Sequence, residues 1–179
     1  LKNFEATQLG KKWPCIINGK KITDRPFLPS VNPARPAQIV GYWAKGTVQD
    51  ADEAVAASVA FFPKWRATPV DDRARMLERA ADLMESRRME LNSLLILEGA
   101  KPWIEADGDI SEAIDFLRFY AVEMRRLAKP VVTQRVPGER CVQTWTPRGA
   151  GVAVAPWNFP MAILTGLTAA PLVAGNCVI

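Results

Sequence analysis

The sequence predicts an α/β chain, and three observations predict it. Apolar residues recur every three or four positions through several segments between residues 47 and 127, the period of helices with one buried face. Two strand-like segments follow, at 141–145 and 149–155. The second leads through a proline-bounded turn into a helix of small residues and then the apolar run Cys177-Val178-Ile179. Helices followed by an incipient strand, helix and strand describe an α/β chain whose central sheet has just begun.

Taken in order, residues 13–23 place Asn18-Gly19 between short apolar segments, a hairpin signal because both residues accept the positive φ of a tight reversal. Proline and polar residues over 24–36 read as irregular chain, and 38–43 as a short strand. Thr47 is placed to cap a helix running to about Phe62, with Asp50 beside the exposed amides of its first turn. Val48, Ala51, Val55, Val59 and Phe62 would share its buried stripe, extended by Trp65. Thr68-Pro69 opens a second helix, with Asp71 and Asp72 at its positive end. Arg73, Arg75, Arg79, Arg87 and Arg88 alternate with Glu78, Asp82 and Glu85, which reads as a solvated mixed-charge face in preference to a phosphate-binding one. A third helix covers 89–98 and is interrupted by Gly99-Ala100-Lys101-Pro102. The next starts at Trp103 or Asp109, runs to about Leu127 and buries Ile110, Ala113, Leu117, Tyr120, Met124 and Leu127. Lys129-Pro130 stops it.

Composition narrows the function classes. With 49% apolar and 23% charged residues, the 179-residue chain has ordinary globular composition, which excludes disorder and collagen-like repetition. The net charge of +4, from 23 basic and 19 acidic residues, is dispersed along the chain and so argues against nucleic acid as a partner. No run of about 18 apolar residues is present, so no membrane insertion is expected. Histidine is absent, which removes the commonest general base and the commonest transition-metal ligand. Cys15, Cys141 and Cys177 are odd in number, widely separated and without CxxC spacing, so neither a metal site nor a disulfide framework is expected, and a reducing, cytoplasmic compartment is. The chain starts at Leu1 and stops inside an apolar run after Gly175-Asn176. That ending reads as the opening of a buried strand and hence as a fragment of a larger protein, the alternative being a docked C-terminal strand.

The sharpest local pattern is Gly149-Ala-Gly-Val-Ala-Val-Ala-Pro-Trp-Asn-Phe-Pro160, continuing to Pro171. Small side chains at Ala150, Ala153 and Ala155 permit close approach by another backbone or a flat cofactor, and Pro156 limits the strand. Neither GxGxxG nor a GKS/T phosphate loop is present, so composition does not identify the ligand. Asn158 sits in a rigid Pro-Trp-Asn-Phe-Pro turn with an amide that can donate two hydrogen bonds. It can serve an oxyanion, or it can cap the following helix. Trp157 and Phe159 read as core aromatics in preference to cofactor contacts.

These residues resemble the NAD(P)-dependent aldehyde dehydrogenase superfamily. The resemblance is carried by Ala155-Pro-Trp-Asn-Phe-Pro160 and Pro171-Leu-Val-Ala-Gly-Asn-Cys-Val-Ile179. The Ile17-Asn-Gly-Lys and Val31-Asn-Pro-Ala patterns, the Trp65-Arg segment and residues 98–120 extend it over nearly the whole chain. Within that superfamily, residues 101–116 resemble the 1-pyrroline-5-carboxylate dehydrogenase branch, also called L-glutamate γ-semialdehyde dehydrogenase, which occurs alone or inside a bifunctional proline-catabolic protein. Gly99-Ala100 departs from it, since Ala-Gly is the more usual order before Lys-Pro.

The resemblance implies an aldehyde dehydrogenase-like fold. Residues 1–130 would form the N-terminal hairpin and helical part of the cofactor domain, 131–148 the oligomerisation arm, and 149–179 the truncated start of a Rossmann-like NAD-binding core. It implies NAD-dependent oxidation of a small-molecule aldehyde, L-glutamate γ-semialdehyde, to L-glutamate. Asn158 would be an oxyanion donor, Val154, Ala155, Pro156 and Trp157 would line the dinucleotide cleft, and Glu112, Phe159 and Ile163 the aldehyde tunnel. Glu112 could instead be a surface acid paired near Arg118. Phe116 and Phe119 would be structural, and Arg135, Arg140 and Arg148 would serve assembly through the arm or face solvent. The nucleophilic cysteine and the water-activating glutamate would follow Ile179, so the chain alone is expected to be inactive and the full-length enzyme a homo-oligomer. A dehydrogenase of another semialdehyde or amino aldehyde, and a non-enzymatic binding fragment, are the alternatives.

Overall fold

The computed structural model describes residues 1–179, the side chain of Asn3 excepted. A short helix α1 (Lys2–Gln8) leads into β1 (Lys11–Trp13), then β2 (Cys15–Ile17) and β3 (Lys20–Ile22). The β2–β3 pair is the hairpin expected from Asn18-Gly19. Ile17 faces Lys20 across the two-residue loop, and both loop residues have positive φ, 50° and 74°, the conformation that matches the twist of the flanking strands.

Residues 24–26 are irregular as expected, but most of 27–36 is strand. β4 (Phe27–Asn32) and β5 (Arg35–Ala44) run antiparallel, and β1 joins β5 in parallel to give the order β1-β5-β4. The prolines are accommodated by position. Pro29 lies on the edge strand β4, and Pro36 falls where the register jumps from Asn32 opposite Arg35 to Val31 opposite Ile39. A proline lacks only a donor, and edges and bulges ask for none. Asn32 closes the turn, accepting from the Ala34 amide at 2.9 Å and donating to Gln38 at 2.7 Å.

Helix α2 (Val48–Ala67) begins with the expected cap. The Thr47 hydroxyl accepts from the Asp50 amide and the Asp50 carboxylate accepts from the Thr47 amide, satisfying two donors at the helix start. The bidentate Arg25 guanidinium and these bonds hold the Asp50 carboxyl well below the usual carboxylate range. Two expectations for α2 fail. The helix continues through Pro63 to Ala67, where the proline takes away one backbone hydrogen-bond donor of the ladder. Val48, Val55 and Val59 are exposed, and the face turned inward instead carries Ala54, Ala57 and Ser58 with Trp65, whose indole donates to the Leu172 carbonyl at 3.0 Å.

The core lies where α3 (Val70–Ser86), α4 (Arg88–Gly99), α5 (Trp103–Leu127) and α6 (Ala162–Val173) meet. Along α5 the expected stripe is buried: Ile110, Ala113, Leu117 and Met124 face inward, with Tyr120 and Leu127 packed against them. Alanines at 74, 81, 106 and 121 have no exposed surface, which lets helix axes approach closely and interdigitate the larger side chains. Arg73, expected on the solvated face, is buried. Its guanidinium donates to the carbonyls of Val173, at 2.9 Å, and of Thr68, joining the C-terminal ends of α2 and α6, where a cation meets the negative end of the helix dipole. Arg75, Arg79 and Arg87 stay at the surface as expected.

After α5 the chain forms an exposed hairpin, β6 (Val131–Gln134) with β7 (Cys141–Gln143), then β8 (Ala150–Gly151), α6 and β9 (Cys177–Val178). β8 and β9 are parallel, and bonds from Ala153 N to Ile179 O and from Ile179 N to Gly151 O carry the ladder one step further. β8 is shorter and more exposed than the buried strand expected over 149–155, because within this chain β9 alone pairs with it. Asn176 fastens the unit, accepting from the Arg148 and Gly149 amides and donating to the Pro171 carbonyl. Gly175 is required at φ 96°, since a Cβ there would also meet Arg73 and Pro147 at 3.3 Å.

Candidate functional site

The segment between β8 and α6 holds six of the eight sequence-predicted site residues in consecutive positions. Past Ala153, the backbone N–H groups of Val154, Ala155 and Trp157 make no hydrogen bond among the described residues. They lie beyond the carboxyl end of β8, the side on which ligands bind in open α/β sheets. The side chains of Val154 and Trp157 are 82% and 89% exposed. Trp157 is therefore not a core aromatic.

Asn158 is exposed, and its amide has no partner among the described residues. It does not cap α6. The first free amide of that helix, Ala162 N–H, donates to Asp109 Oδ1 on α5 at 2.7 Å. The other carboxylate oxygen of Asp109, whose side chain is fully buried, accepts from Lys101 Nζ at 2.9 Å. Lys101 Nζ also stands 3.9 Å above the centre of the Phe159 ring. Phe159 is half-buried beneath that ammonium, a cation–π contact strengthened by partial removal from water.

Ile163 lies in the first turn of α6 and lines a hollow with Phe116, Tyr120 and Gly166. Glu112, on α5, lines a neighbouring hollow with Gly108, Ser111 and Phe116. Phe116 is the wall common to both. It stacks on Tyr120 at 5.7 Å and packs flat against Gly166, where a Cβ would come within 3.2 Å of its ring. Phe119 is 58% exposed. Glu112 is an exposed acid of the helix surface, as its alternative reading has it, but the pairing near Arg118 does not form: Arg118 binds Asp82, and Glu112 has no ion pair among the described residues. One turn away, Arg88 grips Asp107 through two bonds and, with Asn92, holds that carboxyl down to about 2.

The three thiols are all free and stand apart from this arrangement. Cys177 is buried in β9, and burial pushes its thiol up, the reverse of an activated thiolate. Cys15 donates weakly to the Ala44 carbonyl and Cys141 lies on the exposed hairpin. No cluster of metal-ligating side chains occurs among the described residues, and no helix is long and apolar enough to cross a membrane. Lys101 and Asp109 are the site-shaping residues that sequence reasoning missed. The only signal was Asp109 as a possible helix start, since its partner amide lies 53 residues away.

Known proteins are similar to this chain in sequence and in fold. The chain is 41% identical over 171 residues to 1-pyrroline-5-carboxylate dehydrogenase 2 of Bacillus subtilis, covering 96% of this chain and 33% of that protein. It is 40% identical over 179 residues to the 1-pyrroline-5-carboxylate dehydrogenase of a Geobacillus species, covering 100% and 35%. Among solved structures, 1-pyrroline-5-carboxylate dehydrogenase from Thermus with bound NAD superimposes with a TM-score of 0.93 at 38% identity over 98% of this chain and 34% of that one. Proline utilization A from Bdellovibrio bacteriovorus does so with a TM-score of 0.94 at 39% identity, over 98% and 18%. The chain thus spans about a third of the length of the curated relatives it matches. The sequence pattern of the aldehyde dehydrogenase family matches residues 21–179, and this chain belongs to that family.

Proposed function

We propose that the chain is part of an NAD-dependent dehydrogenase that oxidises L-glutamate γ-semialdehyde to L-glutamate in proline catabolism. The observation that carries the reading is the free amide of Asn158, exposed just past β8 while Asp109 takes the helix-capping role it would otherwise fill. The names of relatives at about 40% identity support the substrate.

The chemistry assigns each residue a task. A cysteine thiolate, supplied by the intact enzyme outside the residues seen here, bonds to the aldehyde carbon, and the carbonyl electron pair moves onto oxygen. Asn158 Nδ2 donates to that oxygen as its charge develops, a fixed dipole that needs no reorganisation. The unpaired amides of Val154, Ala155 and Trp157 and the small side chains of the segment, beyond the carboxyl end of β8, are the groups that would hold the dinucleotide. The oxygen's electron pair then re-forms the carbonyl as the C–H bond breaks, leaving a thioester on the cysteine, and NAD+, when bound, would supply the acceptor for that hydride. Phe159 and Ile163 exclude water from the path, and Glu112 lines its polar side. Water then cleaves the thioester, releasing the carboxylate and the thiol. The exposed hairpin over 131–148 serves homo-oligomer assembly, and the chain alone carries out no turnover, in keeping with its buried or remote thiols.

The test is NADH formation by the intact enzyme. Asn158→Ala should lower kcat by about 10²- to 10³-fold while leaving the unfolding transition in place. L-Glutamate γ-semialdehyde should have the highest kcat/KM in a panel of short semialdehydes and amino aldehydes. A higher value for another member moves the reading to that substrate, and undiminished kcat in Asn158→Ala removes the oxyanion role.

A further inference from the structure

We infer that Lys101 and Asp109 are positioning residues for the Asn158 turn, setting the direction of its amide through Phe159 and the first amide of α6. The inference rests on the oxyanion reading of Asn158.

Asp109 has no exposed side-chain surface, and an ionised carboxylate in that setting is costly unless each oxygen is matched. Each is matched by one partner. Oδ1 takes the Ala162 amide, four residues beyond Asn158, and Oδ2 takes Lys101 Nζ. The same ammonium presses on the ring of Phe159, the residue next to Asn158. The turn is therefore held between two fixed points that share a single buried carboxylate. Among the described residues, the bond from Ala162 to Asp109 is the one side-chain hydrogen bond reaching residues 156–162. Asn158 itself has none, so its direction is set by what its neighbours are tied to.

The geometry also explains why a lysine stands at 101. Ala100 adopts a left-handed conformation at φ 52°, which ends α4 and turns the chain, and Pro102 starts α5. Lys101 reaches back from that bend over α5, leaving 12% of its side chain exposed. A buried ion pair is weak evidence of net stability, and its better-attested use is to specify one arrangement among several. Here the specified arrangement is that of the oxyanion donor.

A double-mutant cycle on the intact enzyme decides the matter, because residues acting through one another are non-additive. Lys101→Met removes the ammonium and keeps the stem. It should lower kcat about 10- to 100-fold, as a small misplacement of a catalytic group does, with the KM for NAD unchanged. Lys101→Arg, which restores a cation over Phe159 and a donor to Asp109, should recover most of kcat. Combined with Asn158→Ala, Lys101→Met should cost nothing further. Should the Met variant not accumulate as folded protein by circular dichroism, Lys101→Gln, which keeps a donor for Asp109, carries the same cycle. A Lys101 effect that multiplies with that of Asn158→Ala, or failure of Arg to rescue, overturns the positioning role and leaves the oxyanion reading standing. Full activity in Asn158→Ala overturns both.

Discussion

Between α3, α5 and α6, Ala74, Ala81, Ala106, Ile110, Ala113 and Ala121 have no surface left in water, whereas between β8 and α6, Val152, Val154 and Trp157 are 67%, 82% and 89% exposed. Both regions are built from small and apolar residues. In the first, alanines bring helix axes together so that Ile110 and Leu117 fill the space between them, and burial supplies the free energy that holds the helices in place. In the second, folding of this chain gives the valines and the tryptophan no partner, so stability does not explain their identity. The helical core stabilises, and the segment it supports is left exposed.

The comparison breaks first, and with the largest effect, at Ile110. Truncation to alanine removes three carbons' worth of packing from a fully buried site. Since five residues of that cluster, Ala74, Ala81, Ala106, Ala121 and Ala169, are already alanine, little side-chain volume is at hand to collapse into the hole. Ile110→Ala should cost about 2–5 kcal/mol of unfolding free energy, read from urea denaturation. A loss below 1 kcal/mol would mean that the helical layer is not the tightly packed body described here.

A smaller effect of opposite sign is expected at the junction of α4 and α5. Ala100 sits at φ 52° as the residue ending α4, where an L side chain costs about 1–2 kcal/mol and glycine nothing, less the extra entropy glycine carries when unfolded. Ala100→Gly should therefore stabilise by about 1 kcal/mol, visible as a raised urea midpoint with unchanged slope. The reversed Gly99-Ala100 order noted in the sequence thus has a definite structural consequence: the glycine lies inside the helix, and the alanine takes the conformation that glycine favours. Unchanged stability would show that Ala100 is not strained.

How far the sequence could be read follows the same division. α5 was legible because its apolar period points at a real neighbour on α3 and α6. The β2–β3 hairpin was legible because Asn18-Gly19 encodes its own backbone. α2 misled, since Val48, Val55 and Val59 have helical spacing but face solvent, and spacing reports a stripe without saying what covers it. β4 and the start of β5 were hidden by prolines that an edge and a bulge tolerate. Arg73 and Asp109 were hidden for another reason: their partners, Val173 and Ala162, lie 100 and 53 residues away. Local pattern fixes neither contact. At the site, the identity of the turn was plain in Pro156-Trp157-Asn158-Phe159-Pro160, while what orients it was not.

Trp157 gives the smallest effect on stability and the sharpest test of the contrast. Its side chain is 89% exposed, the highest value among the exposed large apolar residues, and it makes no ring or side-chain hydrogen-bond contact among the described residues. Trp157→Ala should leave unfolding free energy within about 0.5 kcal/mol of the parent, because almost no apolar area is returned to water on unfolding. If the segment meets a dinucleotide chiefly through its backbone, the KM for NAD in the intact enzyme should rise only a few-fold, whereas Ala155→Val, which adds bulk beside the unpaired amides, should raise it more. A stability loss above 1 kcal/mol in Trp157→Ala would show that the indole is part of the folded core and that the two regions differ less than their exposures indicate.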